Sequence, residues 1–190
     1  MTDSIEKIKK FAVVSKEAQD ILISPQSPIV LLPKKKAARI AKSVAQGTDT
    51  FGFMLCYAPL HYLLFAEGLE LLVMTSGNIA DEPLIRDNKK AIEKLGSIVD
   101  AFLMHNRDIY RQVDDSIIYF IGKRPALLRR SRGFVPSPVT TNIKAGKHIL
   151  AAGPDLKNTF CLVKGNQYIV SEHIGAAAAR RRSCASSEAS

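Results

Sequence analysis

The sequence predicts an α/β protein built on a mixed sheet, and three observations predict it. Short β-compatible apolar runs alternate with segments of helical spacing along most of the 190 residues. Two pairs of such runs are joined by glycine-containing turns, one at 122–125 and one at 165–166. No apolar run approaches the roughly 18 residues that a membrane-crossing helix requires.

Taken in order, residues 5–10 form a basic lead-in and 11–14 read as a strand. Ser15 is a good N-cap for a short helix through about Leu22. Residues 25–28, with two prolines, break that helix and lead into a buried strand at 29–32. Residues 35–45 carry apolar side chains at helical spacing, with Gly47 as the stop. A strand at 51–55 follows. Pro59 then suits the first position of a helix through about Ala66. The run 69–75 predicts a strand buried on both faces. Asp87 caps a helix over 88–95, and 98–104 predicts a further strand. Two hairpins complete the pattern, 116–121 with 126–130 and 158–164 with 167–171. Residues 136–146 read as a linker. The Ala-, Arg- and Ser-rich stretch 176–190 has no apolar period and is expected to be disordered.

The formal charge is +9, from 27 basic and 18 acidic residues. That balance suits an anionic ligand such as a nucleotide, a phosphate ester or RNA, without choosing among them. Cys56, Cys161 and Cys184 are far apart and form no Cys-x-x-Cys pair, which argues against a disulfide framework or a cysteine zinc site. Met1-Thr2-Asp3-Ser4 lacks the layout of a secretory signal, so a cytoplasmic protein is expected.

Several segments carry possible chemistry. The run 69–75 delivers Ser76, Gly77 and Asn78 at its C-terminal end, where ligands bind in open α/β sheets. Ser76 can donate to a phosphate oxygen, and Asn78 can donate and accept. The same three residues also suit a plain turn. Arg129, Arg130 and Arg132 end a later strand. Guanidinium forks match phosphates, although a solvated edge strand would look the same. Strict alternation would put Arg129 and Ser131 on one face and Arg130 and Arg132 on the other. Asp114 and Asp115 could hold a magnesium ion, but capping a turn or pairing with Arg107 or Arg111 is the preferred reading. His61 and His105 are candidates for binding or proton transfer. Lys157, Asn158 and Thr159 open the second hairpin with donors that suit a phosphate.

The wording of these segments goes further. Gly52-Phe53-Met54-Leu55-Cys56-Tyr57-Ala58-Pro59-Leu60-His61, the run 73–78, and Asp100-Ala101-Phe102-Leu103-Met104-His105-Asn106-Arg107 resemble the HypF carbamoyltransferase family. So do Val113-Asp114-Asp115-Ser116 and Arg129-Arg130-Ser131-Arg132-Gly133-Phe134-Val135-Pro136. Leu156-Lys157-Asn158-Thr159-Phe160-Cys161 and Ser171-Glu172-His173-Ile174-Gly175 resemble the start of that family's next domain, of actin-type ATPase kind.

The resemblance implies a YrdC-like twisted mixed sheet with flanking helices over 1–139, incomplete at its N-terminus. A linker at 140–147, the first hairpin of the next domain at 148–175 and a tail at 176–190 would follow. It further implies formation of carbamoyl-adenylate from ATP and carbamoyl phosphate, transfer to the protein HypE, and a place in nickel–iron hydrogenase maturation. Ser76, Asn78 and Arg129 match the family's nucleotide contacts, with Arg130 and Arg132 beside them. ATP would arrive as its magnesium complex, and the zinc of the full-length family is not expected. The family's domain begins before Met1, so a piece inactive on its own is expected. Two alternatives remain: a double-stranded RNA-binding module of YrdC type, and a threonylcarbamoyl-adenylate synthase acting in tRNA modification.

Overall fold

The computed structural model describes residues 1–79, 82, 84–110, 113–153 and 158–173. The chain forms two compact units, Met1–Met74 with Asp115–Val135, and Thr75–Asp114 with Pro136–Ser190.

In the first unit, α1 (Ile5–Phe11) and α2 (Lys16–Leu22) precede β1 (Ile29–Pro33) and β2 (Thr50–Phe53). After α3 (Pro59–Phe65) the unit is completed by β3 (Ile117–Ile121) and β4 (Arg124–Arg129). The sheet order is β2-β1-β3-β4, with β1 parallel to β3 and the other pairs antiparallel. It is therefore the mixed sheet expected. The core joins Ile8, Phe11, Leu22, Val30, Leu32 and Phe53, all buried.

Residues 5–11 are helical, where the sequence reading placed only a lead-in and the start of a strand. Ile5, Ile8 and Phe11 recur every three residues and bury one face, and the Ser4 side chain caps the first turn. Only Ala12 keeps a β contact, an isolated bridge to Lys34. The α2 cap stands as expected: Ser15 Oγ accepts from the Ala18 N–H at 3.2 Å. Ser15→Ala is expected to cost about 1 kcal/mol in urea unfolding.

Three expected elements are not formed. Residues 35–45 make turns rather than a helix. There Lys34 Nζ donates to the Ala45 and Thr48 carbonyls at 2.7 and 2.8 Å, and Ala45 takes φ +53, outside the helical region. Residues 69–75 are not a strand and are not buried on both faces. Their pairing is with the N-terminus, the Leu72 N–H donating to the Met1 carbonyl at 3.0 Å, and Val73 is 64 % exposed. Residues 98–104 also lack strand pairing, leaving Ile98 and Leu103 exposed. For the two apolar runs, β-compatible composition joined no sheet, and such composition is a weak prior without neighbouring strands.

In the second unit α4 (Asn88–Leu95) is capped by Asp87, whose Oδ1 accepts from the Lys90 N–H at 2.9 Å. The rest is an antiparallel sheet of β5 (Val139–Thr140), β6 (Ile149–Ala152), β7 (Phe160–Lys164) and β8 (Gln167–Val170), ordered β5-β8-β7-β6. The expected hairpin β7–β8 is present, with Gly165 at φ +61 in its turn. It gains β6, which the sequence reading left unassigned, and β5, which falls in the stretch read as a linker. Cys56 is buried, Cys161 is partly buried, and Cys184 lies outside the described residues, as does the stretch 176–190. Among the described residues no helix is long and apolar enough to cross a membrane.

Candidate functional site

The β3–β4 hairpin ends in a junction that the sequence did not reveal. Arg132 Nε donates to Asp115 Oδ1 at 2.9 Å, and its Nη2 lies 2.8 Å from the same oxygen. Nη2 also donates to the Ser27 carbonyl at 2.8 Å, and Nη1 to the Gln26 carbonyl at 3.3 Å. The guanidinium stacks on Tyr57, 3.7 Å from the ring centroid. A planar, five-donor cation suits this arrangement of carboxylate, carbonyls and aromatic face. Ser116 Oγ binds both ways across the strands, accepting from the Ser131 N–H at 2.8 Å and donating to the Arg132 carbonyl at 2.9 Å.

The three arginines therefore sit in different surroundings. Arg129, the last residue of β4, is exposed and lies opposite Ile117 beside a register shift. Arg130 is partly buried and donates to the Phe134 carbonyl at 2.8 Å; burial pulls its pKa below the usual guanidinium value. Alternation does not carry past Arg129, because regular pairing stops there. Ser131 is 1 % exposed, so it does not share a face with Arg129. Asp115 pairs with Arg132, not with Arg107, while Arg111 lies outside the described residues.

His61 meets Tyr57 edge-on, with ring centroids 4.5 Å apart, and its Nδ1 faces the Tyr57 N–H at 3.5 Å. Burial first, and the Arg132 charge second, lower its pKa, with Asp115 opposing. Protonating this imidazole thus costs more in the folded than in the unfolded chain. Stability is expected to fall as pH drops from about 7 through the ordinary imidazole value of about 6.5. Urea unfolding at several pH values checks this, and His61→Gln should flatten the fall.

In the second unit Ser76 is exposed, and its carbonyl accepts from the Asn78 N–H at 3.1 Å. Asn78 Nδ2 donates to the Ile79 and Glu82 carbonyls at 2.9 and 3.0 Å. Both amide hydrogens thus hold the loop. A methyl on Gly77 would meet nothing within 4 Å, so a ligand can approach that backbone closely. Asn158 and Thr159 are partly buried beside Gly153, whose N–H donates to the Thr159 carbonyl at 2.7 Å. Asn158 Oδ1 is enclosed without a hydrogen-bond partner among the described residues, and Lys157 lies outside them. His105 is tied into its own loop, Nδ1 accepting from the Arg107 N–H at 3.2 Å.

Asp114 lies 3.8 Å from His173 Nδ1, and Asp115 is taken by Arg132. Among the described residues no group of three or more His, Cys, Asp or Glu side chains could hold a metal ion. The acids at 114–115 therefore do not fit a resident magnesium site.

The first unit also contains a cavity of about 530 Å³, lined by Lys10, Phe11, Arg39, Ile40, Leu71 and Val73 among others. Its lining is mostly apolar, and its charged members are Lys10, Arg39 and Glu70, with Lys10 paired to Glu70. The sequence reading puts these residues in separate elements, at 5–10, 11–14, 35–45 and 69–75, and does not bring them together.

Comparison with known proteins agrees with the resemblance. The family model described as Telomere recombination, covering Sua5, YciO and YrdC, matches residues 1–131, and that of the HypF Kae1-like domain matches residues 144–188. The chain is 42 % identical over 156 residues to carbamoyltransferase HypF of Synechocystis, covering 82 % of this chain and 20 % of that protein. It is 40 % identical over 182 residues to carbamoyltransferase HypF of Rhizobium leguminosarum, covering 92 % and 24 %. It thus spans about a fifth to a quarter of the length of these curated relatives. Among solved structures it is similar to full-length HypF in the phosphate- and nucleotide-bound form, with 44 % identity and a TM-score of 0.79 over 92 % of this chain and 28 % of that one. HypF of T. kodakarensis gives 40 % identity and a TM-score of 0.80, covering 92 % and 23 %. The chain belongs to the Sua5/YciO/YrdC family, and its likeness to HypF runs on from that domain into the next.

Proposed function

We propose that this chain carries nucleotide-binding machinery of a HypF-type carbamoyltransferase. The observation that carries the reading is the likeness, at 44 % identity over 92 % of the chain, to a HypF solved with phosphate and nucleotide bound. In that reading the ligand is ATP, brought as its magnesium complex. The carbamoyl group comes from carbamoyl phosphate. Water first cleaves carbamoyl phosphate to carbamate and inorganic phosphate; a carbamate oxygen then attacks the α-phosphorus, pyrophosphate leaves, and carbamoyl-adenylate forms. Such a step needs fixed donors around the phosphates more than a protein nucleophile. HypE, as acceptor, and hydrogenase maturation, as purpose, follow from the same family likeness.

Arg129 is the residue best suited to a phosphate, being exposed at the end of a paired strand. Arg130 supplies a second positive charge beside it, and Ser76 and Asn78, in the second unit, are nucleotide contacts by family likeness alone. Asn158 and Thr159, with Lys157, are the corresponding proposal for phosphate binding in the following domain.

Titrating magnesium-ATP into the purified chain by calorimetry tests the reading. Saturable binding is expected, weakened at least tenfold, about 1.4 kcal/mol, in Arg129→Ala. Absence of binding, or an unaltered affinity in Arg129→Ala, would contradict it.

A further inference from the structure

We infer that Arg132 is a positioning residue that sets the end of β4 for ligand binding, and that it is not itself a phosphate ligand. The inference rests on the nucleotide reading above.

The Arg132 guanidinium is already engaged. Nε and Nη2 meet Asp115, Nη2 also meets the Ser27 carbonyl, and Nη1 meets the Gln26 carbonyl. One face of the cation is covered by Tyr57 at 3.7 Å. Its charge is matched by a carboxylate, and most of its fork is occupied. A phosphate arriving here would have to displace Asp115 or meet its negative charge.

The same contacts tie four segments of the first unit together: the loop at 26–27, the residues before α3, the start of β3 and the end of β4. The tie sits where the hairpin is weakest. Register shifts between Ile117 and Ile118, and Arg129 is opposite Ile117. Two residues further along, Asp115 bridges Arg132 in parallel fashion, and Ser116 Oγ clasps the Ser131 N–H and the Arg132 carbonyl. The strand end carrying Arg129 is therefore held between a bulge and this clasp. Gly133 completes the tie by passing against Gln26 so closely that no side chain fits.

Neutralising Asp115 distinguishes the two roles by sign. If Arg132 held a phosphate, Asp115→Asn would remove a competing anion and tighten ATP. As a positioning pair, the same change is expected to weaken ATP at least fivefold in calorimetric titration. Arg132→Lys provides the second reading, since lysine keeps the charge but not the planar fork. Its affinity is expected within twofold of Arg132→Ala, and adding Arg129→Ala to Arg132→Lys should cause little further loss. Each variant is titrated below its own melting temperature, so that loss of folded protein does not mimic the effect. Tighter binding in Asp115→Asn, near-normal binding in Arg132→Lys, or additive losses in the double variant would overturn the inference while leaving the nucleotide reading in place. Failure of the unchanged chain to bind ATP would remove both.

Discussion

Phe53→Ala is expected to lower the stability of the first unit by about 3–5 kcal/mol, the range for truncating a buried aromatic side chain. Phe53 is 2 % exposed and sits in β2 opposite Val30, which is fully buried. Its ring meets Phe51 edge-on, 6.1 Å between centroids at 84°. The surrounding cluster includes Ile8, Leu22 and Leu32, drawn from two helices and a strand. Truncation would leave a void among residues that four separate elements hold in place, so collapse around it is limited. Since domains are stable by only about 5–15 kcal/mol, such a loss leaves little in reserve. Urea unfolding followed by circular dichroism reads the change. Ile92→Ala, at an exposed position of α4, should stay within about 0.5 kcal/mol.

Gly133→Ala is expected to cost about 2–5 kcal/mol, because two penalties coincide. The residue has φ +84, which a side chain adopts at a cost of about 1–2 kcal/mol. A methyl there would also lie 2.5 Å from the Gln26 carbonyl oxygen and 2.7 Å from its Cα, so backbone must move. Forced overpacking typically adds about 1–3 kcal/mol. Gly122→Ala isolates the first penalty, because Gly122 has φ +61 with nothing within 4 Å of the added carbon. The difference between the two variants in urea unfolding measures the steric part.

How much of this was legible in the sequence follows a physical divide. Elements specified by their own residues were readable: α2 from the Ser15 cap, α3 from Pro59, α4 from Asp87, and both hairpins from their glycine turns. Elements that depend on a distant partner were not. The run 69–75 has strand composition but joins no sheet, and 35–45 has helical spacing but lies beneath lysine-bound carbonyls. The arginine cluster at 129–132 was visible as a cluster. Which arginine was already engaged was not, because Tyr57, Gln26 and Ser27 lie 75 to 106 positions from Arg132 along the chain. The Asp115 pairing was anticipated in kind and not in partner. The family itself was legible, since long motifs in a fixed order identify ancestry without any packing argument.

The most direct test follows the backbone amide of Arg129 by isotope-edited spectroscopy while magnesium-ATP is added. This amide, at the end of β4, is expected to shift along a saturation curve whose midpoint matches the calorimetric affinity. An Arg129 amide that stays still at saturating ATP would contradict its place in nucleotide binding.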